Sequence, residues 1–335
     1  MVRPNSTLDS GFAKFALQCS YFVDEVIARS TGVSYPAINA SDLARIRLPS
    51  PPISEQTFIA SFLDRETAKI DTLIAEQEKL ITLLAEKRHA TISHAVTKGL
   101  NPDAPMKDSG VEWLGEVPEH WGTRTIAKIS TKITNGYVGP TREILVETGV
   151  PYIQATHIKN GCVNFDNGYF VTQDWSNAHA KSILANEDVL IVQTGAGTGD
   201  VGIVTESEVG FNCHALIIVA PDMSLIRGEF LCAVLQSSYG QQKLESIQTG
   251  AMHPHLNCGE VKFLEIPLPP LDEQICIVGH INNVITQFNE LIVEASNGIA
   301  LLKERRSALI SAAVTGKIDV RQIAQQGQSN VQEAA

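Results

Sequence analysis

Leu48-Pro49-Ser50-Pro51-Pro52-Ile53-Ser54-Glu55-Gln56 stands just ahead of a long run, residues 54–98, that contains neither Pro nor Gly. Displaced by 218 residues, Ile266-Pro267-Leu268-Pro269-Pro270-Leu271-Asp272-Glu273-Gln274 stands ahead of a second long amphipathic run. The register holds without a gap from about Phe12 to Thr97. Upstream, Phe12-Ala-Lys-Phe-Ala-Leu-Gln-Cys-Ser-Tyr21 lies on Phe230-Leu-Cys-Ala-Val-Leu-Gln-Ser-Ser-Tyr239; downstream, Ile92-Ser93-His-Ala95-Val96-Thr97 lies on Ile310-Ser311-Ala-Ala313-Val314-Thr315. Of the 66 pairs from Gly32 to Thr97, 23 are identical. Two copies of one unit predict a two-fold pseudosymmetric object. Nothing upstream of the first copy matches residues 107–229, so the chain reads as one complete repeat preceded by the tail of another.

The elements follow from that frame. Residues 1–53 read as a helix over roughly 10–28, a Gly/Ser/Pro loop and a short strand, Leu43 to Leu48, ended by Pro49, Pro51 and Pro52. Ser54 is the expected N-cap of a helix over 54–98, with Glu55 and Gln56 in its first turn. Ile59, Leu63, Ile70, Leu73/Ile74, Leu80/Ile81, Leu84, Ile92 and Ala95 recur at a coiled-coil spacing. At 1.5 Å per residue that run makes a rod of about 65 Å. The second helix, 271–320, is expected to be capped by Asp272. Its stripe is Ile277, Ile281, Phe288, Leu291/Ile292, Ile299, Leu302, Leu309/Ile310 and Ala313. A lone amphipathic rod is unstable, so the two are expected to pack together, antiparallel because the segment between them starts and finishes at one end. Residues 99–106 form a linker, and 107–270 a domain of short strands at Val150, Val189, Val201 and Ala215, then a helix near 227–247 and a strand over 261–267. Residues 321–335 have the composition of a disordered tail. The expected class is α+β: one mixed α/β domain with short twisted strands, plus an antiparallel coiled coil of two long helices.

The chain's 335 residues suffice for two or three cored units, and 44% hydrophobic with 19% charged residues is a globular composition. Cys19, Cys162, Cys213, Cys232, Cys258 and Cys276 form no Cys-x-x-Cys pair, which argues against a zinc site or disulfide framework and for a reducing, cytoplasmic setting. No apolar run approaches the roughly 20 residues of a membrane span, and no signal peptide is read at the N-terminus. The net charge of −11 runs against a nucleic-acid partner.

Gly197-Thr198-Gly199-Asp200-Val201-Gly202 fits G-x-G-x-x-G, but a strand rather than a helix follows it, so a dinucleotide site is rejected. No Lys-Ser/Thr follows the glycines, which rejects a P-loop. Two readings remain: a tight turn needing positive φ, or bare backbone that lets a nucleic-acid backbone or base edge come close. Histidines 120, 157, 179, 214, 253 and 255 have no metal-ligand spacing and read as core or surface residues. No nucleophile elbow or carboxylate pair stands out, so the chain is not expected to be an enzyme. The two proline runs read as rigid strand-to-helix corners rather than polyproline ligands.

Three features together resemble the DNA-specificity subunit of type I restriction–modification systems. The first is Pro-Leu-Pro-Pro-Leu-Asp-Glu-Gln leading into a helix that closes on Lys303-Glu-Arg-Arg-Ser-Ala-Leu-Ile-Ser-Ala-Ala-Val-Thr-Gly-Lys-Ile-Asp319. The second is Ala95-Val-Thr-Lys-Gly-Leu-Asn-Pro102 leading to Met106-Lys-Asp-Ser-Gly-Val-Glu-Trp113-Leu-Gly-Glu-Val-Pro118-Glu-His-Trp121; the third is Asp188-Val-Leu-Ile-Val-Gln-Thr-Gly195. The resemblance implies two target-recognition domains, each reading half of a split target in double-stranded DNA. Paired helices would space them and dock methyltransferase subunits, with restriction/translocase subunits joining through the complex. It implies no cofactor here: S-adenosylmethionine and ATP would be bound by the partners. Only the recognition domain at 107–270 reads as complete; residues 1–53 read as the C-terminal remnant of a first. Residues 1–50 are therefore expected to be frayed, or completed by another polypeptide. Three outcomes are open: an inactive remnant, a half-subunit that self-dimerises on a palindromic split target, or one piece of a split subunit.

Residues 107–270 carry 10 Lys plus Arg against 18 Asp plus Glu, a difference of −8. Phosphate attraction is a large part of most DNA affinity, so weak binding is expected unless partners supply basic surface. Base-edge reading needs only a few polar side chains. The candidates are Thr134, Asn135, Tyr137, Thr141 and Arg142; Gln154, Thr156, His157 and Lys159; Gln193, Thr194 and Thr198; and His253, His255 and Asn257, each set against an ordinary solvated loop residue. Asn39 and Asn257 match across the repeat, which points to shared loop geometry as much as to base contact. The competing class is a coiled-coil assembly module without a DNA role.

Overall fold

The computed structural model describes residues 6–32, 34–166, 168–195, 197–250 and 254–321. Its helices, among these residues, are α1 (Ser10–Ala16), α2 (Ser20–Arg29), α3 (Ala40–Leu43), α4 (Ile53–Lys98), α5 (Gln173–Ala178), α6 (Gly228–Gln236), α7 (Ser238–Ser246), α8 (Cys258–Val261) and α9 (Leu271–Val314). The strands are β1 (Met106–Asp108), β2 (Glu116–Pro118), β3 (Gly122–Thr125), β4 (Ser130–Asn135), β5 (Leu145–Val146), β6 (Val150–Ile153), β7 (Ile158–Lys159), β8 (Gly161–Val163), β9 (Tyr169–Val171), β10 (Val189–Val192), β11 (Val201–Ile203), β12 (Asn212–Cys213), β13 (Leu216–Pro221) and β14 (Glu265–Leu268). The chain divides into two compact units, Met1–Leu84 with Asn289–Ala335 and Ala85–Phe288, so α4 and α9 each contribute to both.

The first unit is helical. Asp9 caps α1, its carboxylate accepting from Phe12 N at 2.8 Å. Phe12, Phe15 and Ala16 then pack with Ile59, Ala60 and Leu63 from the start of α4 and Ile310, Ala313 and Val314 from the end of α9. Start meeting end makes the two long helices antiparallel in this unit. Phe12 and Phe15 are fully buried, each contributing about 1.5–3 kcal/mol of burial; α1 is therefore anchored, against the expectation that residues 1–50 fray. Buried Gln56 fastens it further: its Oε1 accepts from Asp9 N at 2.8 Å, and its Nε2 donates to Thr7 O at 3.1 Å and Pro51 O at 2.8 Å.

The second unit repeats these contacts with the two copies exchanged. Phe230, Ala233, Val234, Ile277, Val278 and Ile281 pack with Ile92, Ala95 and Val96, the positions 218 away from the nine just named. Gln274 Oε1 accepts from Arg227 N at 2.9 Å, and its Nε2 donates to Leu225 O at 3.0 Å and Pro269 O at 2.9 Å. Every partner is the repeat equivalent of a Gln56 partner. Over these helices lies a six-stranded sheet of order β4-β13-β10-β11-β8-β7, antiparallel except for the β8–β11 pair. β10 is buried on both faces: Val189 and Ile191 join the helical core, Leu190 and Val192 a second core with Leu216 and Ile218. Smaller sheets of order β12-β6-β9-β5, β14-β3 and β1-β2 complete the unit.

Several expected elements are corrected. The helix expected over 10–28 is α1 and α2, broken at Cys19; that over 227–247 is α6 and α7, broken at the equivalent Ser237. The break frees the next backbone N–H: Ser20 N donates to Ser311 Oγ and Ser238 N to Ser93 Oγ, both at 2.8 Å. Leu43–Leu48 is not a strand. Its equivalent β14 exists because β3 pairs with it, and among the described residues the first unit holds no such partner. The strand expected at 261–267 is β14, preceded by α8. α4 and α9 begin at Ile53 and Leu271, so Ser54 and Asp272 lie in first turns instead of capping. α9 stops at Val314, not 320, where Gly316 turns left-handed at φ 71° and Lys317 N bonds back to Ala312 O at 2.8 Å. Residues 322–335 of the expected tail lie outside the described residues.

Candidate nucleic-acid interface

Several strands of the second unit end at one place. β4 and β10 both run antiparallel to β13 between them, so their C-terminal ends flank its start. β11 is antiparallel to β10, which puts turn 193–200 at the same end. β6 and β12, parallel neighbours in the adjoining sheet, finish at Ile153 and Cys213, three residues before β13. Turns leaving these ends carry most of the candidate residues.

Asn135, Gln193 and His255 meet there. Cys258 Sγ donates to Asn135 Oδ1; Asn135 Nδ2 donates to Gln193 Oε1 at 3.3 Å; Gln193 Nε2 lies 3.5 Å from His255 Nε2. Gln193 is only 5% exposed, so it supports its neighbours, whereas His255 is exposed. The His255 backbone is held from both sides, by antiparallel bridges to Thr194 and Thr249. Leu256 N donates to Gln193 O at 2.9 Å, and Thr198 Oγ1 to Pro254 O at 3.1 Å. The glycine pattern at 197–202 belongs to the β10–β11 hairpin, with Gly195 and Gly199 at φ 103° and 95°, the tight-turn reading.

A second group is aromatic. Tyr137 bridges His214 through the backbone and stands edge-on to Trp175 and His179, each 5.2 Å between ring centres. Trp175 stacks on His179 at 3.9 Å, and Tyr152 Oη lies 3.4 Å from His214 Nδ1. Gly136 is required beside it, since a Cβ there would stand 2.6 Å from Cys213 O. Burial pushes the Tyr152 hydroxyl up and the His214 imidazole down from their ordinary values. The sequence offered no signal for Trp175, His179 and His214 as a group, because segments far apart in the chain bring them together.

The other candidates are dispersed. Gln154 and His157 cap one turn reciprocally, His157 Nδ1 accepting from Gln154 N at 2.9 Å. His157 is buried, which lowers its pKa. Thr156 and Lys159 on the same turn are exposed, as is Arg142, whereas Thr134 and Thr141 are half-buried. Asn257 Oδ1 accepts from Gly259 N at 2.7 Å and caps α8, as Asn39 caps α3 by accepting from Asp42 N at 2.9 Å. Their shared identity is explained by helix capping. His253 lies outside the described residues. No group of three or more His, Cys, Asp or Glu suited to a metal occurs among the described residues. The site offers hydrogen-bond donors and acceptors on loops.

Residues 5–83 and 118–300 match the family model described as type I restriction modification DNA specificity domain. The chain belongs to this family. Within the specificity family, the chain is similar to the type I restriction enzyme EcoBI specificity subunit of Escherichia coli, at 24% identity over 89% of this chain and 64% of that protein. It spans about two thirds of the length of that relative. Its fold is shared with a chain from a solved structure of the type I R-M system, TM-score 0.73 at 17% identity, covering 93% of this chain and 73% of that one. The HsdS subunit from Thermoanaerobacter tengcongensis has the same fold, TM-score 0.53 at 18% identity, covering 95% and 73%. No helix among the described residues is long and apolar enough to cross a membrane.

Proposed function

We propose that the chain is a DNA-recognition subunit of a type I restriction–modification complex. It reads one half of a split double-stranded target and docks methyltransferase subunits through α4 and α9, with restriction/translocase subunits joining the complex in the cytoplasm. It makes and breaks no bonds; S-adenosylmethionine and ATP belong to the partners. The observation that carries this reading is the gathering of Asn135, Tyr137, Gln193, Thr194, Thr198, His214 and His255 at one end of a buried sheet, in a domain of the specificity family. Loops on a rigid sheet are where variable recognition is built. Support for docking comes from a groove of about 560 Å³ between the long helices in the first unit, where Leu80, Leu84, Leu291, Ala295, Gly298 and Leu302 face one another around space they do not fill.

The acidity of residues 107–270 favours a second reading, an assembly module that does not touch DNA. Fluorescence anisotropy on a random-sequence duplex pool separates the two. The DNA-reading subunit binds weakly alone and gains affinity once its methyltransferase subunit is added, beyond what that subunit shows by itself. No gain over the methyltransferase alone selects the assembly module.

A further inference from the structure

We infer that His255 reads a hydrogen-bond acceptor on a base edge, with its Nδ1–H fixed as the donor by a relay of Cys258, Asn135 and Gln193; this rests on the DNA-reading function proposed above. The relay has one direction, set by the amide of Asn135. Its Oδ1 faces the Cys258 thiol, which donates to it, a thiol being a weak donor and a weak acceptor alike. Asn135 must then offer its NH₂ to Gln193 Oε1, 3.3 Å away. That leaves the Gln193 NH₂, a donor only, facing His255 Nε2 at 3.5 Å. A ring nitrogen that accepts carries no proton, so the proton of the neutral ring sits on Nδ1. Gln193 is buried and transmits this order without meeting a ligand, whereas His255 is exposed. Asn135, Gln193 and Cys258 are positioning residues.

The repeat marks His255 as a variable insert on a fixed frame. Thr249 and His255 form the same antiparallel bridge as Thr31 and Ala37, their equivalents. The hairpin therefore accepts alanine, and the imidazole is not needed to build it. In the major groove a donor pairs with guanine O6 or N7, adenine N7 or thymine O4, and it opposes the amino group of cytosine.

Two measurements on the full chain test this. Long-range ¹H–¹⁵N correlation of ¹⁵N-histidine-labelled protein, with His255→Asn to assign the ring, should show Nδ1 protonated and Nε2 bare. His255 should keep that state in Cys258→Ser and lose it in Gln193→Leu. A wild-type ring protonated on Nε2, or on both nitrogens, overturns the relay. Selection from a random duplex library, using the chain with its methyltransferase subunit, should enrich one site. His255→Ala should lower discrimination at one base pair by about tenfold while the rest of the site persists. Unchanged preference at every position overturns the role of His255 and leaves DNA reading intact. If the wild-type complex enriches no site, the proposed function itself fails.

Discussion

Single side chains at the loop end of the sheet divide into those that build and those that face outward. Asn257 builds: Asn257→Ala should cost about 1 kcal/mol through loss of the α8 cap. Urea denaturation would show this, and the sequence preference of the complex should stay unchanged; a changed preference would make Asn257 a reader. His157 also builds, and its chemistry gives a pH signature. Burial lowers its folded pKa below the ordinary value of 6.5, so the unfolded chain binds the proton more readily. Its contribution is therefore fully present above about pH 6.5 and is lost as pH falls toward the folded pKa. Protonation also removes the Nδ1 lone pair that accepts from Gln154 N. His214, shifted the same way by burial, adds to the trend. The urea midpoint should fall between pH 7.5 and 5.5, and His157→Gln should flatten that fall; an equal fall in the variant would remove His157 from the cause. Candidates such as Gln193 were legible in the sequence as polar residues beside a glycine turn. Its burial and its role as a connector were not, since they depend on loops some 60 residues apart.

At the scale of elements, the glutamine that follows each proline corner is the clearest structural signature of the repeat. Gln56 and Gln274 are buried, and each satisfies two carbonyls and one N–H at equivalent positions. Replacement by alanine strands buried backbone groups, at about 1–3 kcal/mol for each group left unpaired. Gln56→Ala should release α1, read as faster amide exchange in residues 10–16. Gln274→Ala should do the same for α6 and leave α1 unaffected; unchanged protection in either variant would reject the clasp. The long helices were legible because the 3.5-residue stripe persists over many turns, and Ile59, Leu63, Ile277 and Ile281 are buried where it placed them, whereas Leu73, Leu80 and Leu291 of the same stripe are exposed. The breaks at Cys19 and Ser237 were not legible, because the serine hydroxyls that stabilise them sit on the other long helix. Leu43–Leu48 forms no strand for a related reason: a strand is defined by its partner, and local sequence carries only half of that pair.

For the whole molecule the deciding question is how so acidic a chain would serve the DNA reading proposed for it. Residues 107–270, with their difference of −8, cannot draw in phosphate by charge. On the proposed function, what the chain contributes is selection among base edges, and the positive surface comes from its partners. The methyltransferase subunit should then account for nearly all of the salt dependence of the complex, and exchanging charged residues on this chain should change affinity little. The repeat read from the sequence has a structural counterpart: each unit holds its own core, glutamine clasp and serine contact, built from equivalent positions. The measurement that tests the account most directly is selection from a random duplex library by the chain together with its methyltransferase subunit, compared with the methyltransferase alone. The account predicts that one short sequence is enriched only when the chain is present. Identical pools with and without the chain would contradict it.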